Sequence, residues 1–150
     1  MNFARTHNLR LAIKSSGHDY LGRSTAKNSL LISTHNLRNS SFVDNFVVGG
    51  KSLGSVATLE SGIALHEMYS LTKAHGKIVI GGTASTVVPS GGYVQGGGHS
   101  ALSPTLGLAA DNCVGNSPPR YYISCLFYQR SLFRTEGGHC RWQPSHSECR

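Results

Sequence analysis

Charge is scarce in this sequence, and acid is scarcer than base. Only 14% of the 150 residues are charged, with 7 Asp and Glu against 14 Lys and Arg. A chain so thinly charged is not a charged coil, and at 39% hydrophobic it is not a disordered tail. Long apolar runs are missing too. None approaches the roughly 20 residues of a membrane span, so no transmembrane helix and no membrane partner are expected. Residues 1–7 lack the apolar core of a secretory signal, so no export signal is read and no compartment is assigned. Cysteine is nearly absent from the main body: of 4, Cys125, Cys140 and Cys149 lie in the last 26 residues. That placement argues against a disulfide framework.

What is present is one domain's worth of chain, long enough to bury a core. The formal net charge of +7, with 8 histidines, favours an anionic partner, either a nucleic acid or the pyrophosphate of a dinucleotide. Eight of the 18 glycines fall between Gly81 and Gly107. Glycine loses much conformational entropy on ordering, so a dense run suggests bare backbone lying against something flat or charged. Tyr93, Val94 and Leu102, Leu106 and Leu108 anchor the stretch, so it reads as a backbone-lined ligand wall and not a linker.

Periodicity gives an outline. Residues 9–13 alternate as a strand and lead into a small, polar loop, Lys14 to Ser24. Residues 29–33 read as a second, largely buried strand; residues 43–48 are a weaker candidate, interrupted by Asp44 and Asn45 and ended by Gly49-Gly50. Residues 56–60 form a short strand. Leu65, Met68, Tyr69 and Thr72 then recur at helical spacing as core, with Gly76 placed as a C-terminal cap, and residues 77–80 return as a strand. Strands and a helix in this order predict an α/β or α+β fold, with ligand-bearing loops after the strands. After Asn116-Ser117-Pro118-Pro119 the tail has 5 arginines, 2 glutamates and no sustained period. Two regions are therefore expected, residues 1–115 and an irregular basic tail, 116–150.

Several short motifs fail on inspection. Gly50-Lys51-Ser52 has the end of a P-loop, but Asn45 stands where its first glycine belongs. Counted from Gly96, the dinucleotide fingerprint meets Ala101 where glycine is wanted, so a bound dinucleotide would not sit in a Rossmann fold. His66-Glu67 has no histidine at position 70, which excludes the zinc-protease helix and leaves an exposed helical pair. His139, Cys140, His146 and Cys149 match no compact zinc module, and no metal is expected. Asn39-Ser40-Ser41 matches the glycosylation triplet, a pattern short enough to recur by chance. On spacing alone, His18 is a loop histidine supporting Asp19.

Three motifs taken in order say more: Lys14-Ser15-Ser16-Gly17-His18-Asp19-Tyr20, then Gly91-Gly92-Tyr93-Val94-Gln95-Gly96-Gly97-Gly98-His99-Ser100, then Gly107-Leu108-Ala109-Ala110-Asp111-Asn112. Together they closely resemble the FAD-linked oxidases of the berberine-bridge-enzyme-like branch, over roughly residues 3–114. The resemblance implies a partial FAD-binding domain of the p-cresol methylhydroxylase type (the vanillyl-alcohol oxidase family), an α+β fold with mixed sheets and flanking helices. FAD is the implied cofactor, and His18 falls on the histidine that bonds covalently to the flavin 8α-methyl carbon. Ser15, Ser16, Gly17, Asp19 and Tyr20 fall in the pyrophosphate loop, and Thr86, Gly91, Gly92, Gly97 and Gly98 on the second wall. The implied activity is oxidoreductase: hydride passes from an alcohol, sugar or related small molecule to flavin N5, with oxygen as acceptor. The resemblance identifies no catalytic residue in this chain, and nucleic acid is not an expected partner. Two positions depart from the family pattern. Ala84 stands about where some relatives carry a cysteine that makes a second flavin bond, and Val88 stands where glycine is usual. The family's sequence extends before Met1 and past Asn112, so a truncated form is expected. The alternative is a non-catalytic remnant that holds FAD weakly or not at all, with a basic binding module formed by the tail as a third reading.

Overall fold

In the computed structural model the described residues are 2–115, 122–126, 128–129, 133–136 and 139–142, with side chains described as far as residue 114. A short helix α1 (Asn2–Thr6) precedes β1 (Arg10–Lys14), which pairs in parallel with β2 (Ser29–Ser33), Arg10 opposite Ser29 and Lys14 opposite Ser33. Parallel neighbours need a long crossover. Here it is the loop of residues 15–28, so the motif containing His18 hangs from the carboxyl end of β1. Past β2 the ladder gains one more bond, from Thr34 N–H to the Lys14 carbonyl at 3.0 Å.

β2 was expected to be largely buried, and it is not: Leu30 is 37%, Leu31 42% and Ile32 36% exposed. Leu30 and Ile32 share one face and Leu31 lies on the other. The described residues therefore cover neither face of this two-stranded sheet, although parallel sheets ordinarily have both faces covered.

β3 (Ser40–Val43) ends where Asp44 and Asn45 interrupt the apolar run. The chain resumes as a hairpin, β4 (Val47–Val48) with β5 (Lys51–Ser52), turning through Gly49 and Gly50 at φ 58° and 81°. β6 (Val56–Glu60) pairs antiparallel with β3 and forms the centre of the core, with Ala57 and Leu59 wholly buried. Helix α2 (Leu65–Ala74) lays Leu65 and Met68 onto it. Gly76, at φ 64°, takes the left-handed turn expected just past the helix end. β7 is shorter than expected (Lys77–Ile78), because Val79 and Ile80 turn inward as buried coil.

The glycine-rich segment follows as a distorted turn, Pro89–Tyr93, and helix α3 (Ser103–Leu106), packed as a second cluster on Ile80, Leu106 and Ala109. Part of the tail that showed no strand period nonetheless pairs. With β8 (Cys113–Gly115) and β9 (Tyr122–Leu126), the main sheet has the order β3-β6-β9-β8. β9 fills the edge of β6 opposite β3, where unpaired backbone groups would otherwise face solvent. β10 (Tyr128–Gln129) pairs with β7, and β11 (Phe133–Glu136) with β12 (His139–Trp142). Of the tail's suggested zinc ligands, His146 and Cys149 and the side chains of His139 and Cys140 lie outside the described residues. Among the described residues no cluster suited to a metal occurs, and no helix is long and apolar enough to cross a membrane.

Two side-chain constraints hold this frame. A Cβ on Gly62 would lie 2.5–2.7 Å from the carbonyl oxygens of Thr34, His35 and Leu37, whereas nothing lies within 4 Å of the same position at Gly92. Gly62→Ala should therefore cost about 1–3 kcal/mol and lower the melting temperature by roughly 2–4 °C for each kcal/mol in thermal circular dichroism, with Gly92→Ala close to neutral. Glu67 Oε2 accepts from the Ala64 N–H at 2.9 Å, and Oε1 from Arg38. These bonds, the backbone one foremost, hold the Glu67 carboxyl below its ordinary range. A folded-state value below the unfolded one stabilises at neutral pH, and the gain is lost as acid protonates the folded carboxylate. Urea unfolding from neutral pH down to about pH 3 should show wild type losing about 1 kcal/mol that Glu67→Gln never had.

Candidate functional site

Three segments converge at the carboxyl ends of β1 and β2. The first is the loop after β1, whose Ser15 side chain packs so closely on Gly91 that any Cβ there would overlap its Oγ. The second follows β2 and wraps Gly62, with Arg38 Nη1 donating to the Gly62 carbonyl at 2.9 Å and Nη2 to Glu67. The third, residues 85–87, is fixed by helix α2. A helix leaves its first N–H groups without internal partners, and here Leu65 N–H donates to the Val87 carbonyl (2.8 Å) and His66 N–H to the Ser85 carbonyl (3.0 Å). The residue between these two acceptors is Thr86. Its Oγ1 lies 2.8 Å from His18 Nε2, although the two are 68 positions apart in sequence.

These segments enclose a cleft of about 410 Å³. The β1 side gives Lys14, Ser15, Ser16 and His18, and the β2 side gives Ser33, His35 and Arg38. Gly62, Ala64, His66 and Glu67 form the floor at the start of α2, and Thr86 and Val88 close the far wall. Glu67 is already engaged with Arg38, and no carboxylate among the described residues pairs with Lys14. Hydroxyls, imidazoles and cations of this kind suit an anionic ligand with phosphate oxygens. Its volume lies in the range of ordinary small-molecule sites. The residues present therefore fit the phosphate-bearing part of a flavin dinucleotide, with His18 exposed beside it.

The residues singled out from sequence divide into two groups. Ser15, Ser16, His18 and Thr86 line the cleft, and Gly91 backs Ser15. Gly17, at φ 95°, lies beside the Lys14 stem. Asp19 instead accepts from the Arg23 backbone N–H (2.5 Å) and guanidinium (2.6 Å), and these bonds hold its carboxyl below the usual range. The alternative reading of His18 as Asp19's support is thereby corrected, since His18 Nε2 meets Thr86 and Asp19 meets Arg23. Tyr20 is fully exposed, and Gly92 faces open space. Gly97 and Gly98 turn away from the cleft: their carbonyls accept from Ala110 and Ala109 N–H at 3.0 Å, and a Cβ on Gly98 would overlap Ala109.

Sequence reasoning missed Lys14, Ser33, His35, Arg38, Gly62 and Ala64, and read His66-Glu67 as a plain exposed pair. Glu67 in fact ties the helix start to Arg38, and His66 Nδ1 lies 3.0 Å from the Ser85 carbonyl. The available signal was positional, because residues just past two neighbouring parallel strands share one end of the sheet. Tyr69 supports the same wall from behind, donating to the Gly82 carbonyl at 2.5 Å, and burial raises its phenol above the usual range.

Comparisons with known proteins place the fold in a family. A profile of the FAD binding domain family matches residues 1–116. An uncharacterised FAD-linked oxidoreductase of Arthroderma benhamiae is 45% identical over 118 residues, 76% of this chain and 20% of that protein. The crystal structure of the VAO-type flavoprotein MtVAO615 of Myceliophthora thermophila superposes with a TM-score of 0.77 at 34% identity, covering 85% of this chain and 29% of that one. The fold recurs in glucooligosaccharide oxidase of Acremonium strictum, described with a 6-S-cysteinyl, 8α-N1-histidyl FAD, at TM-score 0.66 and 18% identity over 85% of this chain and 32% of that one. This chain spans about a fifth of the length of the curated relatives it matches, 20% in each of the first two. With motifs, fold and profile in agreement, the chain belongs to the FAD binding domain family of the FAD-linked oxidoreductases, with the VAO-type architecture that its sequence resembles and FAD as the family's cofactor.

Proposed function

We propose that this chain is the FAD-binding portion of a flavin-dependent oxidoreductase and that His18 forms a covalent bond to the flavin. The observation that carries the reading is the 2.8 Å contact between His18 Nε2 and Thr86 Oγ1, which joins the histidine loop to the wall of the cleft. Lys14 and Arg38 attract the phosphates, and the hydroxyls of Ser15, Ser16 and Ser33 donate to their oxygens. Val88, buried in the lining, supplies an apolar surface that excludes water. His18 is exposed at the cleft, where its ring is open to an incoming carbon. When bound, FAD supplies a two-electron acceptor for hydride from a substrate carbon, an alcohol, sugar or related metabolite, with dioxygen receiving the electrons afterwards. Residues 1–115 are taken as the FAD-binding unit, supported by the end of the family match at residue 116, with β9 of the following segment pairing between β6 and β8 of its main sheet.

Incubation with FAD followed by acid precipitation tests the reading. Flavin fluorescence should remain with the wild-type polypeptide. His18→Ala should still bind FAD reversibly but release all of it in acid. Complete release from the wild type would rule out the covalent bond, and failure of both chains to bind FAD would rule out the cofactor site.

A further inference from the structure

The hydrogen bond between His18 and Thr86 has a direction, and that direction decides which ring nitrogen can react. Across the 2.8 Å contact, Nε2 either accepts from the Thr86 hydroxyl or donates to it. If Nε2 accepts, the neutral ring keeps its proton on Nδ1, and that nitrogen has no lone pair to give. If Nε2 donates, Nδ1 carries the lone pair. We propose that Thr86 is a positioning residue for cofactor attachment: its oxygen accepts from His18 Nε2–H, holds the imidazole in that tautomer and leaves Nδ1 as the nucleophile. The inference rests on the FAD reading above.

Thr86 is built to be the fixed partner. Its backbone is held on both sides, because the carbonyls of Ser85 and Val87 cap α2 and Val87 N–H returns to the Ala84 carbonyl at 3.1 Å. Its β-branched side chain has little rotamer freedom. His18 instead stands on an exposed loop, next to Gly17 at φ 95°. Asp19, the adjacent carboxylate that would compete for a ring N–H, is occupied by Arg23 through both backbone and guanidinium. Among the described residues, the hydrogen-bond partner of the His18 ring is the Thr86 hydroxyl.

Attachment forms a bond from Nδ1 to the flavin 8α carbon and breaks one C–H bond there. The proton leaves to solvent. The C–H electron pair ends in the flavin ring system, from which dioxygen, the acceptor named above, removes it. Attack makes the imidazole cationic until Nε2 loses its proton, and in that interval Thr86 accepts from a charged N–H, a stronger bond than a neutral one.

Two measurements on the full chain test this. The first needs no cofactor. Proton–nitrogen correlation of the His18 ring above the imidazole titration, assigned by its loss in His18→Ala, should show Nε2 protonated and Nδ1 bare. Thr86→Val should mix the tautomers, and Thr86→Ser should restore the original one. A wild-type ring protonated on Nδ1 overturns the proposal, and this signal decides even where a variant fails to fold. The second is the rate at which acid-stable flavin accumulates at saturating FAD. Thr86→Val should be roughly three- to tenfold slower at equal FAD occupancy, about the effect of one hydrogen bond, and Thr86→Ser within about twofold of wild type. Equal rates in wild type and Thr86→Val overturn the role of Thr86. A wild-type chain that binds no FAD overturns the cofactor reading instead, and the ring measurement still decides for or against Thr86.

Discussion

The structure of the site depends on how the first turn of α2 is capped. Two of its unpaired N–H groups, on Leu65 and His66, go to the carbonyls of Val87 and Ser85, and Glu67 turns back to take the N–H of Ala64. Those bonds join a helix to a loop about 20 residues later in the chain, and they leave Thr86 no choice of position. They also settle how the site can attract an anion. In dinucleotide folds of the Rossmann kind the open start of a helix binds the pyrophosphate. Here that start is already used by the protein's own backbone. Attraction must come from side chains and from backbone at the strand ends, which is where Lys14, Arg38 and the serine hydroxyls lie.

The glycines divide the work differently from what their clustering suggests. Gly62, Gly91 and Gly98 each sit where a Cβ would collide with a neighbouring part of the chain: three carbonyls, the Ser15 hydroxyl and Ala109, respectively. Their smallness lets segments of this protein touch one another. Two of them do so at the cleft: Gly62 in its floor, and Gly91, which lets the histidine loop settle against the later wall. Gly97 and Gly98 instead fold the glycine run back onto the second core cluster through their carbonyls. A run of glycine therefore marks close approach, and the sequence does not say whether the approaching surface is a ligand or the protein itself.

This explains which parts could be read in advance. The α2 stripe, the caps at Gly49-Gly50 and Gly76, and β1 and β6 follow from local period and turn chemistry. Ser15, Ser16, His18 and Thr86 were found through a specific motif order. Lys14, Arg38 and Glu67 were not, since their convergence depends on the parallel pairing of β1 with β2, which no local pattern encodes. The apolar run Leu30–Ile32 gave the strand but misjudged its burial, because burial depends on what packs against both faces. β9 was invisible for a related reason: its strand character comes from the open edge of β6, not from a period of its own.

The two departures from the family pattern now have distinct consequences. Val88 is buried in the cleft wall, so a side chain occupies space that glycine would leave open, on the same wall as Thr86. Ala84 is exposed and offers no sulfur. Cys113 directs its thiol to the Ala109 carbonyl at 3.4 Å in the packing behind the glycine run, and does not line the cleft. On the proposed reading the hold on the flavin is a single bond from His18, since neither Ala84 nor Cys113 brings a thiol to the cleft. If His18 is that single point of attachment, the protonation pattern of its ring governs whether the bond forms. Among the described residues, the hydrogen bond to that ring is made with a hydroxyl on the loop held by the start of α2.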